Sequence, residues 1–254
     1  MNYGMFLSAQ GAQAQSLRLD TVANNVANAS TTAFKRDLAI FQAQNTYDDS
    51  LGLPDEHASH LNQHSGGVTI QAVQTDFSTG PLSDTGGTFD LALTGPGFFQ
   101  VSQNGQNFLS RDGAFAMNDQ NELVTTEGMH VLSESGERIT LGNNLKNVSI
   151  AGDGTITEQR ADGSSSQNAR IAVVQPESVH DLVKVGNNLY RTESTTTPAG
   201  PDVQIKQGML EGSGVNSVSE MTQMIEASRA YETNINMMKY QDEALGRLLQ
   251  AATR

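Results

Sequence analysis

The sequence predicts an α+β fold: N- and C-terminal helices paired as a coiled coil, with a central all-β domain inserted between them. Three observations point there. Apolar residues recur at alternating three- and four-residue steps near both ends of the 254-residue chain. The middle carries short alternating apolar runs divided by Gly-containing turns. A polar stretch with Gly52, Pro54, Gly66 and Gly67 lies between the first helix and that β-rich region. The expected domains are a discontinuous helical one (1–36 with 207–254), an extended linker (37–68) and a β-rich domain (69–206).

Residues 3–28 read as a helix whose seam is Met5, Ala9, Ala12, Leu19, Ala23 and Val26, with Ser16 as a polar member. The alanines would let a partner helix approach closely. Asn28-Ala29-Ser30-Thr31-Thr32 ends it, because these polar side chains compete for backbone hydrogen bonds. In the middle, Phe89, Leu91 and Leu93 alternate onto one face. Phe98-Phe99-Gln100-Val101 leads into Asn104-Gly105, a hairpin-turn pair. Asp112-Gly113, Asp153-Gly154 and Asp162-Gly163 mark further turns, and 192–201 reads as a loop.

The last helix is predicted over 217–251. Ser217 and Glu220 form an S-x-x-E capping box. The seam then runs Met221, Met224, Tyr231, Ile235, Met238, Leu245 and Leu249, broken by Ser228 and Asp242. At 1.5 Å per residue this helix is roughly 50 Å long, so it needs a partner.

Composition narrows the function. The chain has no Cys and no Trp, and so no disulfide or thiolate chemistry. Its formal charge is −13, carried by residues 37–206, since the two terminal segments hold +2 and −2. Phosphate binding needs a basic face, which argues against nucleic acid. The first fifteen residues lack a basic region followed by an apolar run, and no apolar stretch is long enough to span a membrane. That pattern predicts export without a cleaved signal, or none.

Bland readings win at the isolated motifs. His57, His60 and His64 sit among Gly and Pro, where a solvated loop is favoured over a metal site. Gly152-Asp153-Gly154 lacks the further carboxylates of a calcium loop and reads as a hairpin turn. No spacing pairs His130 or His180 with a nucleophile, and no phosphate loop is present. Neither catalysis nor a cofactor is expected. Lys35 and Arg36 read either as solvated cations or as a contact with the acidic middle of a neighbouring subunit.

Three blocks carry a resemblance. Residues 23–36, with Asn24, Asn25, Asn28, Phe34 and Lys35, resemble the N-terminal signature of bacterial flagellar rod and hook proteins. Gly97-Phe98-Phe99 and Arg111-Asp112-Gly113 resemble that family's central β motif. Residues 210–216, ending in Val215 and Asn216, and 224–232 resemble its C-terminal signature. Ala33 stands where the family usually has Gly, and Gly214 where it usually has Asn. The chain is short for a hook protein, and segments 184–190 and 210–213 look closer to the proximal-rod type than to the distal-rod type.

The resemblance implies a structural subunit of the flagellar rod. Such a subunit polymerises through its terminal helices into a helical axial tube that crosses the periplasm, transmits torque and houses the export channel. The implied partners are further copies, neighbouring rod and hook proteins, and the flagellar type III export apparatus. The alternatives are a distal-rod protein and, from another class, a secreted β-rich binding module with dimerising helical ends.

Overall fold

The structure is a computed structural model describing residues 3–43, 67–143, 145–161 and 163–252. His57, His60, His64 and most of the expected linker lie outside these residues. The chain divides into two compact units.

The helical unit comprises Met1–Ala27, Asp37–Asp76 and Asn216–Arg254. Helix α1 spans Tyr3–Ala27 and α2 spans Ser217–Ala252, close to the bounds the periodicity predicts. Between them in sequence run β1 (Asp37–Ala43) and β2 (Val68–Thr75). These strands pair antiparallel from Asp37 opposite Thr75 to Ala43 opposite Val68, with a bulge between Ile40 and Phe41. Residues 37–43 are therefore a strand and not the start of a linker. Leu38, Ile40 and Phe41 form a pleated apolar run once residues 68–75 pair with them, and that pairing is invisible locally.

The β unit comprises Asn28–Arg36 and Phe77–Val215. It takes in 28–36 and 207–215, which the expected domain bounds group with the helices. Its strands begin with β3 (Leu82–Asp84), β4 (Leu91–Thr94), β5 (Phe98–Gln103) and β6 (Gln106–Ser110). Next come β7 (Phe115–Met117), β8 (Leu123–Thr125), β9 (His130–Val131), β10 (Leu145–Ile150), β11 (Thr155–Arg160) and β12 (Ser165–Arg170). Last are β13 (Val173–Pro176), β14 (Val183–Gly186), β15 (Leu189–Arg191), β16 (Thr196–Pro198), β17 (Gln204–Gln207) and β18 (Met209–Glu211). The largest sheet runs β14-β15-β6-β5-β9-β8-β7, with β13 joined to β5 and β16 to β13. Strands β10-β11-β12 form a second sheet, and β17-β4 and β18-β3 form two-stranded ones. Strand β16 corrects the loop expected over 192–201: its pairing with β13 overrides a polar, Pro-containing sequence, and Pro198 sits at its end.

Alternation along β5 sends Phe98 and Phe99 to opposite faces. Phe99 joins the main core with Leu91, Leu93, Val101 and Phe115. Phe98 packs with Leu109 and Tyr190 in a smaller cluster. Asn104 and Gly105 both take positive φ, 50° and 79°, the backbone that a two-residue hairpin turn requires.

Candidate assembly interface

Helices α1 and α2 pack antiparallel along a seam of small and polar residues. A Cβ added to Gly4 would stand 2.9 Å from Gln241 Nε2, and one on Gly11 would stand 3.0 Å from Asn234 Oδ1. Asn25 Nδ2 donates to Glu220 Oε2 at 3.2 Å. Each heptad climbed on α1 thus matches a heptad descended on α2. The same matching sets Ala227, fully buried, opposite Arg18, Tyr231 opposite Ala14, and Met238 opposite Leu7. The side-chain oxygens of Gln15 and Gln241 are buried without a hydrogen-bond partner among the described residues. Each such atom, where it stays unpaired, costs about 1–3 kcal/mol.

This seam is rolled away from the one the apolar spacing predicts. On α1, Ala12 is buried and Met5, Ala9, Leu19 and Val26 are half-buried, but Ala23 is exposed. On α2, Met224, Tyr231, Ile235, Met238 and Leu245 are half-buried, whereas Met221 is 51% and Leu249 68% exposed. Gly4 and Gly11 decide the roll. Without side chains they let α2 approach closely and fill the gap with amides. The one signal in the sequence was two glycines a heptad apart in a helix, where glycine is otherwise unfavourable.

Asn25 is the hub of this unit and is 1% exposed. Its Nδ2 also donates to the Asp37 carbonyl (2.8 Å), and its Oδ1 accepts from Asp37 N (2.9 Å). One side chain therefore ties the end of α1, the start of β1 and the first turn of α2. Its neighbour Asn24 is exposed. The expected capping box is not the cap. Asn216 Oδ1 accepts from Ser219 N at 3.2 Å, so Asn216 caps the helix and Ser217 is its first residue. Glu220 is 2% exposed and faces Asn25 instead of reaching back.

The remaining family-like residues form a clasp inside the β unit. Lys35 is neither solvated nor directed at a neighbour: it is 1% exposed. Its Nζ donates to Glu211 Oε1 (2.5 Å) and to the Ser78 carbonyl (2.8 Å). Glu211 Oε1 also accepts from Gly80 N at 2.7 Å. Arg111 Nη1 lies 3.8 Å from Glu211 Oε2, its Nη2 donates to the Gly95 carbonyl (2.8 Å), and its guanidinium sits 5.1 Å from the Phe98 ring centre. Burial holds the Arg111 pKa below its ordinary value, against the pull of Glu211.

Asp112 accepts from Ala114 N and Thr32 Oγ1, and burial raises its pKa. Gly113 is required because the Leu91 carbonyl occupies the place of a Cβ. At Gly97 an added Cβ would press on Val173, 3.0 Å away. Phe34 lies under Lys184 Nζ at 4.6 Å. Asn28 accepts from Thr31 through its carbonyl and its side chain, closing the turn after α1. Val215 N donates to Ser213 Oγ. Ala33 takes φ of 53°, a left-handed backbone that explains the glycine usual there in the resembled family. Gly214 does not take positive φ; its N–H donates to the Phe34 carbonyl.

Several charged groups elsewhere in the β unit are engaged in structure. Arg170 Nη1 lies 3.1 Å from Glu134 Oε1, and its Nε donates to the Asp153 carbonyl. The Asp153-Gly154 pair makes the expected hairpin turn, with Gly154 at φ of 90°. His130 Nδ1 lies 3.4 Å from Glu122 Oε2. Among the described residues no helix is long and apolar enough to cross a membrane, and no three His, Cys, Asp or Glu side chains gather as a metal site.

Comparison with known proteins matches these same segments. Residues 7–35 match the flagella basal body rod protein model, 92–158 the flagellar hook protein FlgE/F/G D1 domain, and 206–251 the flagellar basal body rod FlgEFG protein C-terminal model. The chain is 38% identical to the flagellar basal-body rod protein FlgF of Caulobacter vibrioides, over 87% of this chain and 85% of that protein. It is 30% identical to FlgG of Bacillus subtilis, over 91% and 92%. It is 32% identical to FlgG of Buchnera aphidicola subsp. Schizaphis graminum, over 97% and 98%. With its paired terminal helices, buried Lys35–Glu211 clasp and three matching segments, this chain belongs to the flagellar basal-body rod protein family.

Proposed function

We propose that this chain is a structural rod subunit that polymerises through α1 and α2, performs no chemistry and takes a proximal position. One observation carries the reading. The seam within the helix pair mixes glycine, alanine, amide and carboxylate with a few larger apolar side chains, while Met221, Ile225, Met237, Tyr240, Leu248 and Leu249 stand exposed on α2. A helix with its apolar side chains outward is finished by burial against other molecules. Deleting residues 3–27 is expected to abolish polymer formation and motility. A binding module would keep its ligand after that deletion, and normal motility would defeat the rod reading.

The proximal position draws support from the 38% identity to a FlgF protein, against 30–32% for the two FlgG proteins. Complementation separates the two: the gene restores motility to a strain lacking the proximal-rod protein and fails in one lacking the distal-rod protein. Passage through the flagellar type III export apparatus is checked by following the chain's export in cells without that apparatus, where it stays inside.

A further inference from the structure

We infer that residues 28–36 are a strap that closes last over a preformed groove in the β unit, and that this groove is a binding site for a short peptide carrying a small residue, an aromatic and a lysine in succession. The strap takes neither helix nor strand, yet Ala33, Phe34 and Lys35 are 1, 7 and 1% exposed. Four consecutive residues are gripped by their backbone. The Thr32 carbonyl accepts from Asn188 Nδ2 (2.8 Å), and Ala33 N donates to the Glu211 carbonyl (2.8 Å). The Phe34 carbonyl accepts from Gly214 N (2.9 Å), and the Lys35 carbonyl from Lys184 Nζ (2.6 Å). Side chains add selectivity: Phe34 lies under Lys184 Nζ, and Lys35 Nζ donates to Glu211 and to the Ser78 carbonyl. Backbone bonds for affinity, with side-chain sites for choice, are how proteins hold bound peptides.

The order of closing follows from where the core lies. Among the described residues, neither apolar cluster of the β unit includes any of 28–36; their members run from Phe77 to Ile205. The groove walls therefore form on that core without the strap. Lys35 meets Glu211 across 176 residues, so closing the strap costs the entropy of a very long loop. That cost falls once the core has already drawn the chain together. During synthesis the strap emerges early, whereas Glu211 and Gly214 arrive near the end, so an incomplete chain holds its strap open.

Two measurements on the full chain test this. In stopped-flow experiments, Lys35→Met is expected to fold within about twofold of the parent rate and to unfold at least about a hundredfold faster. Thr32→Val removes the hydroxyl bond to Asp112 and serves if Lys35→Met does not fold; it should unfold about tenfold faster at an unchanged folding rate. A labelled synthetic peptide of residues 28–36 is then titrated by fluorescence anisotropy. It should bind the folded variant at least about tenfold more tightly than the parent, whose own tethered strap competes for the groove. Folding slowed in proportion to the lost stability overturns late closing. A peptide that binds neither chain, or both alike, overturns the peptide site.

Discussion

Asn25 Nδ2 lies 3.2 Å from Glu220 Oε2, across 195 residues of sequence. That bond joins the end of the first helix to the beginning of the last, inside a site already closed by the backbone of Asp37. Asn25→Ala removes three hydrogen bonds at once and leaves buried groups unpaired. The expected loss is about 3 kcal/mol, read as a lower urea midpoint of the helical signal in far-UV circular dichroism.

Lys35→Met leaves Glu211 buried without its closest cation. Breaking one side of a buried pair costs about 3–5 kcal/mol, so a large drop in the thermal midpoint is expected. Lys35→Met with Glu211→Gln should recover part of that loss, because Gln can still accept from Gly80 N. If the single variant were as stable as the parent, the clasp would contribute nothing.

Gly11 tests the roll of the helices. In Gly11→Ala the new Cβ meets only the mobile end of Asn234, and helix propensity favours Ala by about 1 kcal/mol, so stability should stay close to the parent. Gly11→Leu cannot be accommodated at this approach and is expected to cost about 1–3 kcal/mol. Thermal melts of the two variants, followed by circular dichroism, decide whether close approach matters.

Ala33 adopts a left-handed backbone that disfavours any side chain. Ala33→Gly relieves about 1–2 kcal/mol of strain, set against the greater freedom of unfolded glycine, for a net gain of about 0.5–1 kcal/mol. A lower melting temperature in Ala33→Gly would mean that the buried methyl outweighs the strain.

Asp112 gives the β unit a pH dependence of known sign. Burial raises its pKa above the ordinary value of 3.8, while bonds from Ala114, Thr32 and Asn188 oppose the shift. The folded chain therefore holds this proton more tightly than the unfolded chain. Its contribution to stability is largest at or below pH 3.8, declines as pH rises through the elevated pKa, and is constant above it. Urea midpoints measured across the acid range for the parent and Asp112→Asn should diverge over that window, with the parent losing ground as pH rises.

Local sequence carried much of the fold. The bounds of α1 and α2, the Asn104-Gly105 hairpin and the turn at Gly154 follow from periodicity and turn chemistry, which act over a few residues. The cap shows where such rules run out. Asn216 and Ser217 are both good caps one residue apart, and Asn25, far away in sequence, takes Glu220 and leaves no capping box. Likewise β1 and β16 became strands only through partners 25 or more positions away or in another part of the sheet.

By itself, the sequence determined that two long helices close the chain, that a β-rich segment lies between them, and that the three blocks are of rod-protein type. Only the tertiary structure decided which helix faces meet and where Lys35 resides. The reason is physical. Counting apolar residues finds the face that most needs burial, but in a subunit of a larger assembly that need is shared with other molecules. Within one chain, the helices instead meet where Gly4 and Gly11 allow the closest approach and where Asn25 finds Glu220. Lys35 could be buried only because Glu211, 176 residues away, is folded against it.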